Sequence, residues 1–316
     1  MAIFEISMII LDSVFPIILC MFVGYIAGNY WLKEKIFWDG LNKIAYYIMF
    51  PLLIISSLMH ANITTIDKTF LILLNILVIL LILILWVLKP IFKDKLFWIT
   101  FVQGSFRYNS YIFIGITLLY FGKSAIPTIA IITGGMIFTS TIIGTFLLSF
   151  YASEKANFLS SIISVTKNPL VIACVIGGII NYISITHPQI LKFNFINNSL
   201  EIFGKASLSI SLLAIGAGIS VHLKKRMLLG VINCSIIKLL IFPLMVVYTM
   251  LYFDYERNLI EICMLYAAAP GSTSASIMIK QIGGDYQAIN NIIGIQTIFC
   301  VFTIPLLLYL FPLMNI

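Results

Sequence analysis

The stretch CMLYAAAPGSTSASIMIKQIGG, residues 263–284, decides the fold. Its ends are apolar enough to lie in a bilayer, yet Pro270, Gly271, Ser272, Thr273, Ser274 and Ser276 interrupt it at mid-depth. Pro270 removes a backbone donor and crowds the preceding turn, and Gly271 weakens the helix further. Unwound backbone at that depth is tolerated only where it is buried in protein or lines a cavity. A second stretch has the same character: WITFVQGSFRYNSYIFIGITLLYFG, residues 98–122, gathers Gly104, Ser105, Arg107, Asn109 and Ser110 near its middle. N–H groups freed at the start of a half-helix, with the positive end of its dipole, suit an anion. Ordinary kinks with small residues for close packing are the alternative. Two interruptions at corresponding positions favour a site between them.

Outward from these stretches the whole chain reads as membrane. Of its 316 residues, 61% are hydrophobic and 10% charged, where a soluble domain carries about 25% charged residues. This excludes a soluble enzyme, a secreted disulfide protein and a disordered chain. Polar breaks divide the chain into ten predicted spans, at 6–30, 37–59, 69–89, 97–121, 125–151, 159–183, 201–221, 227–253, 258–281 and 287–312. Each apolar run approaches the roughly 20 residues that a helix needs to cross. The expectation is an all-α polytopic membrane protein, one membrane domain over 1–316. The N-terminal MAIFEISMII carries Glu5 where a signal peptide carries basic residues, and reads as an uncleaved first span.

Charge sets the expected orientation. The odd-numbered loops hold ten basic residues (Lys33, Lys35, Lys89, Lys93, Lys95, Lys155, Lys224, Lys225, Arg226 and Lys280) against four in the even loops (Lys68, Lys123, Lys192 and Arg257). Trp31, Trp38, Trp86 and Trp98 all flank odd loops, as interfacial anchors do. Odd loops are therefore placed in the cytoplasm and both termini outside a cell membrane. The net charge of +7 is scattered without a basic stripe, so no nucleic-acid partner is expected. Cys20, Cys174, Cys234, Cys263 and Cys300 lie in apolar runs without CxxC spacing and read as small buried hydrophobes, so neither metal nor cofactor is expected.

The halves repeat one another. PIILCMFVG (16–24) returns as PLVIACVIG (169–177), and each leads to an Asn-Tyr pair, Asn29-Tyr30 and Asn181-Tyr182. Lys43 and His60 are 17 residues apart, as are Lys205 and His222; Phe121-Gly122 aligns with Gly283-Gly284 at a similar offset. With five spans per copy, the second copy, 159–312, must enter the membrane inverted relative to the first, 6–151. Inverted repeats are the plan of secondary transporters, with substrate at the repeat interface.

Several polar residues have alternative readings. Arg107, a planar fork at mid-bilayer, could meet a carboxylate, pair with an acid such as Asp12 or Glu261, or snorkel to the interface. Asn109 offers a donor and acceptors. Lys238, inside IIKLLIFP, could bind the carbonyls of a broken helix, replace a bound sodium ion, or snorkel. Asp12, Glu261 and Asp285 lie near span ends, where proton carriage competes with capping or solvation. Pro51 and Pro243 are expected to bend spans two and eight.

Those residues together resemble the auxin efflux carrier family, including its bacterial malate- and malonate-permease-like members. The matching pieces are YYIMFPLLIISSL (46–58), RYNSYIFIG (107–115), TKNPLVIACVIGGIIN (166–181), SLLAIGAGIS (211–220), KLLIFPLM (238–245), AAAPGSTSASIMIKQIGGDYQA (267–288) and QTIFCVFTIPLL (296–307). The resemblance implies a 5+5 inverted repeat similar to bile-acid sodium symporters, with helices four and nine broken and crossing at the substrate. It implies a scaffold that dimerises, from spans within 6–59 and 159–221, and a mobile transport domain from 69–151 and 227–312. By position, Asn109 matches the crossover asparagine and Pro270 the crossover proline. Thr117 departs from the family, whose members often carry proline there.

The expected function is elevator-type secondary transport of a small organic anion, such as malate or another carboxylate. Its site would comprise Arg107, Asn109, Ser110, Pro270, Gly271, Ser272, Thr273 and Ser274. Lys238, Asp12 and Asp285 are candidates for coupling or support. An ion channel would need a ring of like charges or carbonyl filter loops. A receptor without transport is the other alternative. An intramembrane enzyme lacks its motifs, and His60, His187 and His222 sit at span ends.

Overall fold

A computed structural model describes residues 15–16, 19–59, 69–92, 94–151, 167, 169–187, 189, 191, 194–218, 228–272, 275, 279 and 285–314. Among these residues there is no β-strand. The helices are α1 (19–31), α2 (35–59), α3 (Thr69–Val87), α4 (Lys95–Phe106), α5 (Ser110–Phe121), α6 (Ile126–Tyr151), α7 (Pro169–Thr186), α8 (Asn194–Ala217), α9 (Leu228–Tyr252), α10 (Arg257–Ala268) and α11 (Tyr286–Leu310). Asp12, Thr273, Ser274, His60 and His222, together with Gly283-Gly284, lie outside the described residues.

By length and composition, Thr69–Val87, Ile112–Met136, Leu228–Tyr252 and Gln287–Leu313 are able to cross a membrane. The second of these contains the 3-10 turn Gly122–Ala125, where Gly122 takes φ 68°. That left-handed conformation costs glycine little, so the chain turns there and α5 packs back on α6. α3 shows the solvent the surface was built for. Phe70, Leu74, Leu77, Val78, Leu81 and Leu85 form its buried face, while Ile72, Ile76, Ile79 and Leu83 stay exposed. A helix apolar all round that presents half of itself outward fits a lipid surround.

Sequence and structure differ at one helix start and one helix end. Span seven was expected from 201, but α8 begins at Asn194. Its first turns, NFINNSLE, are helical although polar: Ser199 Oγ donates to the Phe195 carbonyl and Asn197 Nδ2 to the Leu191 carbonyl. Hydropathy marks where a helix meets lipid, not where hydrogen bonding starts. For span six, expected over 159–183, the described helix runs to Thr186.

Pro51 and Pro243 act through the same local device. A π-turn precedes each, Ala45–Met49 before Phe50-Pro51 and Ile237–Ile241 before Phe242-Pro243. Proline removes one N–H and pushes on the carbonyl four residues back; widening that turn accommodates the ring without ending the helix.

The tightest helix crossings rest on glycine. A β-carbon on Gly24 of α1 would collide with the Leu213 backbone of α8, and one on Gly216 of α8 with the Met21 backbone of α1. On the other side, Gly177 of α7 sits against Leu58 and Ile55 of α2. Gly24 and Gly177 are the glycines that the repeated sequence aligned. Asn181 Nδ2 adds a hydrogen bond to the Leu58 carbonyl at 2.9 Å. α2 packs chiefly on α7 and α8, whereas α9 packs on α10, α11 and α4. α9 ends at Tyr252, and in the turn after it Asp254 is the positive-φ non-glycine among the described residues, where α10 folds back against α9.

Candidate functional site

Both interrupted stretches open where the sequence suggested. α4 starts on an Asp94 cap, whose Oδ1 accepts the Leu96 and Phe97 N–H groups. It stops at Phe106, and Arg107 turns extended at φ −69° and ψ 147°. α5 restarts at Ser110, with Asn109 as its cap: Asn109 Oδ1 accepts the Ile112 N–H, and its carbonyl accepts the Phe113 N–H. α10 stops at Ala268 in the same way, with Ala269 extended at φ −62° and ψ 134°. After it come Pro270, Gly271 and Ser272, outside any helix.

The two openings meet. The Asn109 N–H donates to the Pro270 carbonyl at 2.7 Å, a backbone bond between segments 161 residues apart in sequence. Gln296 of α11 completes the junction from behind. Its Oε1 accepts the Gly271 N–H at 2.8 Å and its Nε2 donates to the Gly104 carbonyl at 3.0 Å, so one fully buried amide ties both openings together. Gly104 permits this approach, since a β-carbon there would stand 2.7 Å from Ile292 Cγ2 and 3.0 Å from Cys234 Sγ. Backbone polar groups unwound in a membrane must find partners, and these supply several of them.

Arg107 is buried and turned toward α6. Its Nε donates to Gln103 Oε1 at 2.8 Å and its Nη2 to the Ser140 carbonyl at 3.1 Å. Gln103 Nε2 in turn donates to the Gly144 carbonyl at 3.0 Å. A β-carbon at position 144 would fall on the guanidinium, so Gly144 makes its berth. Glu261, one alternative partner considered for Arg107, lies one turn into α10 with Arg257 and Tyr120 as its electrostatic neighbours.

Asp285 caps α11, its Oδ1 accepting the Ala288 N–H at 2.9 Å. Ser110 and Ser272 flank the junction, each half-buried, and the Ser272 carbonyl accepts the Ala275 N–H. Thr117 lies inside α5 and donates to the Phe113 carbonyl, so the helix continues through this position.

Lys238 lies in the π-turn of α9, fully buried. Its Nζ stands 5.1 Å from the Phe242 ring and 5.9 Å from the Tyr266 ring, with no hydrogen-bond partner among the described residues. Tyr266 packs edge-on against Tyr108, the residue between Arg107 and Asn109, at 4.6 Å. One turn back from Lys238, Cys234 Sγ lies 3.3 Å from Ser105 Oγ and 3.3 Å from the Phe101 carbonyl. Cys234 is thus more than the buried hydrophobe that the sequence suggested. Cys20, Cys234, Cys263 and Cys300 are free thiols.

Sequence reading missed Gln296, Gln103, Cys234 and Tyr266. Gln296 and Gln103 did carry a signal, being uncharged polar residues inside apolar spans. Nothing in their local sequence said which backbone they would reach.

No curated protein matches the chain. A family model described as membrane transport protein matches residues 155–308, a stretch that contains α7 to α10, the second opening and most of α11. That match across the second half, over helices opened inside an apolar bundle, fits the resemblance to the auxin efflux carrier family read from the sequence.

Proposed function

We propose that the protein is a secondary carrier of a small organic anion, a carboxylate such as malate, taken up at the junction of the two openings. The observation that carries this reading is the Asn109-to-Pro270 backbone bond, which joins two unwound segments in a buried setting. Such segments are costly in a membrane unless they serve a cavity or a ligand. The α5 N-terminus at Ser110 presents the positive end of its helix dipole to an anion. Pro270, Gly271 and Ser272 form the opposite wall, and Thr273 and Ser274 follow them in the sequence. Arg107 adds positive charge from the side while fixing α6.

In this reading the chain is a ten-helix 5+5 inverted repeat. The like-placed glycines support it, Gly24 seating α1 on α8 and Gly177 seating α7 on α2. Helices α1, α2, α7 and α8 form a dimerising scaffold. Helices α3–α6 and α9–α11 form a domain that carries the site across by an elevator motion. Both termini face outside the cell membrane.

Counterflow in proteoliposomes preloaded with unlabelled malate tests the function without knowledge of a coupling ion. Transient accumulation of labelled malate is the expected result, and Asn109→Ala is expected to abolish it. Folded wild-type protein that accumulates none removes malate as substrate. Steady conductance without counterflow would replace the carrier with a channel.

A further inference from the structure

Lys238 is a fully buried lysine that the machinery above leaves unused. It lies in the apolar interior on α9, whose π-turn packs against α4, α10 and α11 among the described residues. On α9 itself the neighbours are the Cys234 thiol and the Phe242 ring. From α10 comes Tyr266. From α4 and α11 come Ser105 and Gln296, both already engaged around Cys234. No carboxylate faces the amine among the described residues, and its Nζ makes no hydrogen bond there. Aromatic faces attract a cation, but they do not neutralise it. A buried charge with no ionic partner is a standing cost that a fold keeps only for a use.

The position suggests that use. Tyr266, under the Lys238 amine, packs against Tyr108 in the first opening, and Cys234 joins the cluster that holds Gly104 and Gln296. The Tyr266–Tyr108 pair thus lies between the amine and the first opening in a low-dielectric interior, where Coulomb attraction reaches farther than in water. Resting on the anion-carrier reading above, we infer that Lys238 is the counter-charge of the site: it acts through the Tyr266–Tyr108 pair to favour anions, and doubly charged ones most. It is a positioning and specificity residue, not a contact.

The test is binding of malate, a dianion at neutral pH, and lactate, a monoanion, to the purified full chain by calorimetry. Wild type is compared with Lys238→Met and Lys238→Arg. A charge effect predicts that Lys238→Met weakens malate about ten-fold more than lactate, and that Lys238→Arg largely restores the preference. Damage to packing alone would weaken both acids equally, and that result overturns the inference while leaving the carrier reading intact. Wild type that binds neither acid sinks the carboxylate reading and this inference with it.

Thermal unfolding without ligand gives a second readout. Lys238→Met is expected to melt no lower than wild type, because it removes an unpartnered buried charge. A marked fall in melting temperature would show that the amine is paired internally, and would also overturn the inference.

Discussion

The two openings have similar backbones and opposite means of support. At Arg107 and at Ala269 the chain leaves the helix with nearly the same extended dihedrals. The first opening contains no proline and no glycine in Arg107-Tyr108-Asn109. Its own side chains hold it, with Gln103 and Arg107 fastened to α6 carbonyls and Asn109 capping the next helix. The second is opened by Pro270-Gly271 and held from outside, by Gln296 on α11. A helix can thus be interrupted by residues that cannot continue it, or by residues that make stopping favourable. The first kind shows in the sequence as Pro270-Gly271, the second as a polar cluster inside an apolar run.

The difference can be broken or sharpened by substitution. The largest effect is expected at Arg107→Ala, which leaves buried acceptors on Gln103 and Ser140 without their charged donor. A loss of about 2–4 kcal/mol follows, read as a lower melting temperature in detergent. Arg107→Lys should recover only part of it, since one ammonium cannot reproduce the fork. A melting temperature unchanged in Arg107→Ala would remove the claim that the first opening is held by its own side chains.

Gln296→Leu comes next, at about 2–3 kcal/mol, because it strands the Gly271 N–H and the Gly104 carbonyl together. Combined with Arg107→Ala it forms a cycle. Two independent clamps predict additivity within about 0.5 kcal/mol, whereas a larger coupling would make the junction one unit. Gly271→Ala is expected to be the mildest. A β-carbon there would stand 2.9 Å from Gln296 Oε1 and 3.2 Å from Ile293 Cγ1, a crowding worth about 1 kcal/mol. If Gln296→Leu abolishes that penalty, the crowding is with the amide; if not, it is with α11 as a whole.

Much of the architecture was legible because lipid imposes a simple rule. Apolar length marked α3, α6, α9 and α11 to within two residues at each end, since a span that meets hydrocarbon must be apolar throughout. α8 was misplaced at its start for the converse reason: its first turns are polar, and polarity does not prevent a helix. Gly24 and Gly177 stood out as a repeat, and the structure gives both a physical task at close helix crossings. At the site, the residues that break helices were visible and the residues that repair them were not. Gln296 lies 25 residues from the Gly271 amide it satisfies and 192 from the Gly104 carbonyl. Its role depends on which helices become neighbours.

The sequence by itself determined the solvent, the helical class and the points where two helices must stop, because composition, Pro270-Gly271 and the polar run after Gly104 act locally. Tertiary structure alone decided that the two stops touch through Asn109 and Pro270. It also turned Arg107 into α6, made Asp285 a cap, and left Lys238 over aromatic rings with no acid beside it among the described residues. The physical reason is range. Helix breaking is settled within one turn of chain, whereas the partner of a buried polar group is whatever the packing of distant helices brings within 3 Å or so.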